Sequence, residues 1–484
     1  MLKNNIEKKR SNTYLIFLNI LIIVYNLYIG LSIFREKVIV ADDLKEVYNA
    51  KYVSKPYFSY IYSYLDASNM AARPVSGFVT GTLVFLSQYN ASIYLLGILF
   101  FPLSLIAVYG VAQKILSKEL ASLITLLYSC SIIGTSIQFS PIMLNSNLAT
   151  LFFCVSIYFV YIRKNVLLSA LFFILSILSY EIFLPLILLH LFLIRENKKR
   201  IIFLLLTAGV IVLFRKVIQP GIFAHSYQRD EVGKLFEWER VVQVTILTAK
   251  LFLKDIFVGI YKGILNLKNL LIIEIILALV MSSVVYKVFS GYDFKSKLKD
   301  IKSIGLISLI SIIFAVSVFY VSAYIPNLFG FDNRSLGAIR LFYTIFIISG
   351  IIYLSFKLEW RNKTISSLLA GITFLLLTTN MSVKNAWIYA NQFNLKMFNE
   401  LGKALKAEHI ESGVVCLRYD MLTELKTNPH FILREPIFYN NWECRMLSEM
   451  NGIDAKKVYI FNADRQTKCE MVFLYQNGKM IREK

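Results

Sequence analysis

The sequence predicts a mainly α, polytopic membrane protein: a helical bundle of about eleven spans followed by a small α/β domain. Three observations carry that reading. The 484 residues are 57% hydrophobic and only 17% charged, against about a quarter charged in ordinary soluble domains. Apolar runs of membrane-spanning length recur along the chain up to residue 381. The basic residues lie in short clusters between those runs, so the net charge of +21 speaks for membrane topology and against a nucleic-acid partner.

The first apolar run, 13–34, follows a basic start, Lys3, Lys8, Lys9 and Arg10. It is too long for a signal-peptide core and has no small-x-small site after it, so it reads as a retained helix. Further runs fall at 91–113, 119–138, 142–162, 166–180, 182–194, 201–218, 269–288, 303–324, 340–356 and 364–381, with 166–180 and 182–194 short enough to form one broken hairpin. Lys114 and Lys118, Arg163 and Lys164, the cluster Arg195 to Arg200, Lys295 to Lys302, and Lys357, Arg361 and Lys363 all fall on the side of the N-terminus. The positive-inside rule makes that side cytoplasmic. The outer side then holds a first loop (35–90), loops at 219–267 and 325–339, and the tail. Arg215, Lys216, Arg229, Lys234, Arg240, Lys250 and Lys254 lie outside against the rule; either a long loop escapes it or this surface handles an anion.

The tail carries strand-like "GVVCLRY", "KVYIF" and "CEMVFLY" around helix-like "NQFNLKMFNELGKALKAEHI", which divides the chain into a membrane domain, 1–381, and an extracytoplasmic α/β domain, 382–484. Cys130 and Cys154 lie in apolar runs as packing groups. Cys416, Cys444 and Cys469 allow one disulfide in the tail, whose pairing the sequence does not decide. No cysteine–histidine spacing indicates zinc, no Walker sequence indicates an ATP motor, and no internal repeat is visible.

Four outer segments carry candidate chemistry. In "VIVADDLKEVYNAKY" the adjacent Asp42 and Asp43 are either solvated helix-capping acids, a general base at the membrane surface, or a pair holding a divalent cation such as Mg or Mn. In "ARPVSGFVTGTLVFLSQ" Pro74 starts a short helix with Arg73 at its entrance, placed to pair with a phosphate or with an acid of the same loop, or to snorkel to lipid headgroups. In "SYEIFLPL" Glu181 sits between two short apolar helices, a functional position by default for a membrane-edge acid unless water reaches the turn. His190, deeper in the same helix, reads as a packed histidine. In "GFDNRSLGAIR" the residues Asp332, Arg334 and Arg340 cluster beside two glycines. Arginine suits a phosphate through its planar fork, and an internal Asp332–Arg334 pair or a lipid contact is the alternative.

The order of these segments resembles the GT-C superfamily of integral membrane glycosyltransferases, which use polyprenyl-phosphate sugars. "ADD" in an early outer loop, the helix after "ARPVS", the hairpin "SYEIFLPL", a late "NRS" loop and an outer C-terminal domain carry the likeness. Within that group "ADD…ARPVSG" is most similar to the bacterial O-antigen glucosyltransferase (Gtr type II) family, over the first 200 residues. The resemblance implies a bacterial inner-membrane hexosyltransferase whose catalytic centre is an acidic residue of the first outer loop, Asp42 or Asp43, acting as general base. Its donor would be an undecaprenyl-phosphate sugar, its acceptor a surface glycan such as O-antigen, with inversion at the sugar and no required cofactor. Arg73, Arg334 and Arg340 would hold the donor phosphate and Glu181 would support them. A donor-lipid synthase and a flippase are the implied partners. Tyr180 stands where related enzymes carry a lysine. An O-antigen polymerase or ligase, or a lipid or polysaccharide transporter, is the competing class.

Overall fold

The computed structural model describes residues 2–67, 69–225, 237–438, 440–463, 469 and 471–483, with side chains from residue 12 onward except at Asn69. The side chains of Lys3, Lys8, Lys9 and Arg10, and residues Arg229 and Lys234, lie outside that description.

Among the described residues eight helices are long and apolar enough to cross a membrane: Asn12–Arg35, Ala91–Ile115, Pro141–Ile162, Asn197–Ile222, Ile272–Ser290, Phe294–Tyr320, Phe331–Lys357 and Asn362–Ala407. The other three apolar runs fold as shorter helices. The run 119–138 yields only Lys118–Ser129, started by the Ser117 hydroxyl accepting from the Leu120 amide at 3.3 Å. That helix is buried on every face from Leu120 onward, which explains its apolar sequence without a span. It stops at Cys130, and the chain turns through Gly134 at φ +69°. The run 166–180 forms Val166–Ser179, and 182–194 forms a 3-10 turn, Glu181–Leu186, continued by Ile187–Leu193. Extended backbone at Tyr180 separates the two, and Pro185, which cannot donate a helical bond, keeps the turn irregular.

One buried ion pair fastens three of the long helices. Lys384 Nζ lies 2.5 Å from Glu274 Oε1, and their side chains are 3% and 0% exposed. The Tyr28 hydroxyl donates to Glu274 Oε1 at 2.9 Å, while Asn385 Nδ2 and the Leu271 amide donate to Oε2 at 3.1 and 2.9 Å. Every carboxylate lone-pair direction in use has a donor, the condition under which a buried pair is tolerated.

The tail is a four-stranded sheet in the order β2-β1-β3-β4, with β1 Gly413–Arg418, β2 Val458–Asn462, β3 Met471–Gln476 and β4 Lys479–Glu483. β1 pairs parallel with both β2 and β3. β3 and β4 form a hairpin about Asn477-Gly478, both at positive φ, the sequence a tight primed turn requires. Cys416 and Cys469 are disulfide-bonded and Cys444 is free and buried. The helix-like stretch ahead of β1 is the far end of Asn362–Ala407, 46 residues long, so residues 381 and 382 lie inside one continuous helix.

The tail is docked, not tethered. Asn394 Oδ1 accepts from the Phe438 amide at 2.7 Å, Lys51 Nζ reaches Glu449 at 2.7 Å, and the Gly330 amide donates to the Leu433 carbonyl at 2.7 Å. The turn bearing Leu433 is organised by Glu435, 1% exposed, whose carboxyl accepts from the amides of Ile432 and Leu433 at 3.0 and 2.9 Å. Burial pushes that carboxyl up to about 7, with the backbone donors pulling it back.

Candidate functional site

A polar cavity opens at the end of the bundle that carries the tail. Asp42, Lys45, Glu46, Arg73, Tyr180, Tyr324 and Arg334 line it, with Met70, Ile142, Met143 and Asn145 completing the wall. These side chains come from five separated segments, and local contacts bring each one in.

The helix Asp42–Ala50 starts at Ala41, which has φ +51° and ψ −132°. A residue with a β-carbon is strained there, and such strain persists only where the surroundings enforce it. The enforcing group is Asp43. It is fully buried and accepts from the Tyr94 hydroxyl at 2.8 Å, the Ser140 hydroxyl at 2.6 Å and the Ile142 amide at 2.9 Å. Burial raises the Asp43 carboxyl to about 7, and the three donors pull it down. The first-loop acids therefore have opposite fates: Asp43 anchors the helix, and its neighbour Asp42 faces the cavity and pairs with Arg334.

Arg73 arrives on the helix Pro74–Ser87, which the Ser76 hydroxyl ties to the Ser179 carbonyl at 2.8 Å. Gly77 and Gly81 let this helix close on Tyr57–Asp66. A β-carbon at Gly77 would sit 2.6 Å from Leu65 Cδ2, and one at Gly81 would sit 2.9 Å from Tyr64 Cδ1. The tie at Ser179 puts Arg73 beside Glu181. The guanidinium donates through Nε to Oε2 at 2.7 Å and through Nη2 to Oε1 at 2.6 Å, the bidentate arrangement that is strongest for this pair. It also donates to the Tyr324 hydroxyl, which donates to Glu181 Oε1 at 3.0 Å, and lies 4.7 Å from the centre of the Tyr180 ring.

Arg334 is presented by the 3-10 turn Phe331–Leu336. Its neighbour Asn333 pins that turn, accepting from the Ser136 amide at 3.0 Å and donating to the Thr135 hydroxyl at 2.7 Å. The Asp332–Arg334 alternative is not what forms; the guanidinium takes Asp42 and covers the Phe331 ring at 4.5 Å.

Of the sequence candidates, then, Asp42, Arg73 and Arg334 line one cavity, and Glu181 stands behind its wall on Arg73. Arg340 is placed elsewhere. It is fully buried and spends its donors on the carbonyls of Tyr128 at 2.9 Å, Gly134 at 2.8 Å and Ser129 at 3.2 Å. Those carbonyls belong to the end of Lys118–Ser129 and the turn beyond it, so a cation there satisfies a buried helix terminus and is not offered to a phosphate. His190 is buried between Phe173 and Phe203, with Nε2 2.8 Å from the Ser156 hydroxyl.

The Asp42–Asp43 pair does not fit a shared divalent ion, because Asp43 uses both oxygens on protein donors and Asp42 holds Arg334. Among the described residues no three His, Cys, Asp or Glu side chains are grouped to bind a metal. The sequence reading missed Lys45, Glu46, Tyr180 and Tyr324 as wall residues. Lys45 and Glu46 were legible in principle: three and four residues after Asp42 is the same helix face. No family model, curated protein or solved structure matches the chain.

Proposed function

We propose that this protein is a membrane glycosyltransferase that moves a hexose from a polyprenyl-phosphate donor to a cell-surface glycan. One observation supports the reading above the others: two arginine–carboxylate pairs, Arg73–Glu181 and Arg334–Asp42, converge from four separate segments on one polar cavity at the tail end of an apolar bundle. A donor of this class needs a membrane-embedded tail, a phosphate at the headgroup boundary and a carboxylate near the sugar, and those demands coincide at such a cavity.

In the mechanism, the acceptor hydroxyl attacks the anomeric carbon as the bond to phosphate breaks, inverting that centre, and passes its proton to a carboxylate on the helix Asp42–Ala50. Charge develops as in other glycosyl transfers, through an oxocarbenium-like state. The departing phosphate keeps the bond's electron pair and needs no proton, so cationic side chains can stabilise it directly. Glu181 and Asp42 preorganise the guanidiniums of Arg73 and Arg334. The active site then faces the periplasmic side of a bacterial inner membrane, with the tail beside the acceptor.

The test is the reaction itself. Purified protein in nanodiscs is given undecaprenyl-phosphate glucose, galactose or mannose with water as the acceptor, and free undecaprenyl phosphate is measured. Release from one of them is the expected result; no release from any, by protein that remains folded, defeats the proposal. A transporter reading has one observation of its own, the Lys384–Glu274 pair buried among the long helices. It predicts donor translocation without release of lipid phosphate.

A further inference from the structure

The arginines of the cavity each already hold a carboxylate. Arg73 is closed on Glu181 and Arg334 on Asp42, and Asp43 is turned into the bundle. Two charged wall residues are left, adjacent in sequence: Lys45 and Glu46. Among the described residues Lys45 has no carboxylate within ion-pair distance, and it is exposed. Glu46 is 6% exposed, and among the described residues it has no arginine partner and its Oε2 has no hydrogen-bond partner. A buried carboxyl oxygen without a partner costs free energy, so a protein that keeps one at a cavity wall is holding an unused proton acceptor.

We infer that Glu46 accepts the proton of the attacking hydroxyl, and that Lys45 joins the Arg73 and Arg334 guanidiniums in receiving the leaving phosphate. This rests on the glycosyltransferase reading. The step balances without a co-reactant: the acceptor oxygen bonds to the anomeric carbon, its proton passes to the Glu46 carboxylate, and the phosphate leaves with the electron pair of the broken bond. The base therefore sits one helical turn beyond the Asp42–Asp43 pair, on the face Asp42 shares. Asp42 becomes a positioning residue for Arg334.

The surroundings of Glu46 suit a base that works near neutrality. Burial pushes its carboxyl up to about 7, while Tyr64 and Lys45 pull it down and Asp42 and Asp43 push it further up. Tyr60 and Tyr94 face it from the neighbouring elements, and Arg73, Arg334, Tyr180 and Tyr324 stand across the cavity. On the packed tail helix Asn441–Met450, Glu449 is held by Lys51.

The experiment uses full-length protein in nanodiscs, with undecaprenyl-phosphate glucose as the probe, its galactose and mannose counterparts as further arms, and water as the acceptor. Release rates are followed from pH 5 to 9. The expected wild-type rate rises through an apparent pKa about 7, as a base that must be ionised requires. Glu46→Gln should lower kcat at least 100-fold, leave KM within threefold and abolish that rise. Glu46→Asp should retain part of the rate with a displaced limb, and it decides the matter if the Gln variant fails to fold. Lys45→Ala should raise KM at least tenfold. If the wild type turns over while Glu46→Gln stays within threefold of it, or while the Asp variant keeps an undisplaced limb, the assignment of Glu46 is overturned and the enzyme class stands. If the wild type is inert with all three donors, the class fails and the inference with it.

Discussion

Two groups of charged residues, one inside the bundle and one at its tail end, use similar side chains to different ends. Glu274 and Lys384 are 0% and 3% exposed and every contact is internal. Asp42 and Arg334 are 37% and 27% exposed and border open space. In the first setting both charges have lost water, so each depends on the other and on the few protein dipoles around them. In the second, water screens the pair and it can be exchanged for a ligand at small cost. The same ion-pair chemistry is a fastener in one place and a preset receptor in the other, and burial decides which.

The largest effect that could break this contrast comes from the buried side. Glu274→Ala strands the Lys384 ammonium and should cost about 3–5 kcal/mol of stability, measured by denaturant unfolding in detergent. The double change Glu274→Leu with Lys384→Met should recover most of that loss, because no charge is left behind. Next comes Arg340→Met, which frees three buried carbonyls and should cost about 2–4 kcal/mol, read by the same unfolding curve.

A third test acts through pH. The Glu435 carboxyl is held at about 7 when folded, above its ordinary 4.5. A raised folded-state value means the folded protein binds the proton more tightly. Its stabilising effect is complete below the ordinary value and disappears as pH rises through about 7. The tail should therefore be more stable at pH 5 than at pH 8, by an amount on the order of 2–3 kcal/mol, and Glu435→Gln should flatten that dependence in thermal unfolding. Smallest in stability is Asp42→Asn, below about 1 kcal/mol, with sugar transfer falling at least tenfold as Arg334 loses its orientation. A stability loss at Asp42 as large as that at Glu274 would erase the distinction between the two groups.

Much of the architecture was legible because hydropathy is a one-dimensional signal. The long apolar helices and the strand-like tail segments follow from it, and three of the cavity's charged residues, Asp42, Arg73 and Arg334, lie in the segments between apolar runs. The rest depends on contacts between distant residues. Whether 119–138 crosses a membrane or lies within the bundle turns on the neighbours that enclose Lys118–Ser129, which its own residues do not specify. Arg340 and Arg334 look equivalent in "NRSLGAIR", but six residues along a helix separate a wall position from a buried one. Asp42 and Asp43 are the sharpest case: adjacent residues point about 100° apart on a helix, and here Asp42 faces the cavity while Asp43 is turned onto Tyr94 and Ser140. Lys45 and Glu46 were passed over because "DLKEVYNAKY" also reads as an ordinary amphipathic helix. The pairing of Cys416 with Cys469 required strand order, which spacing does not encode.

The helix Asn362–Ala407 has a consequence for how the molecule measures distance. At 46 residues it is about 69 Å long, more than twice the roughly 30 Å hydrocarbon thickness of a bilayer. It acts as a ruler rooted in the apolar bundle, setting both the height and the compass bearing of the sheet. One residue inserted between the span and the sheet would raise the tail by about 1.5 Å and swing it through about 100°. The contacts at Lys51, Gly330 and Asn394 would lose register together. Seven inserted residues, close to two full turns, would nearly restore the bearing and lift the tail by about 10 Å, clear of the loops it now grips.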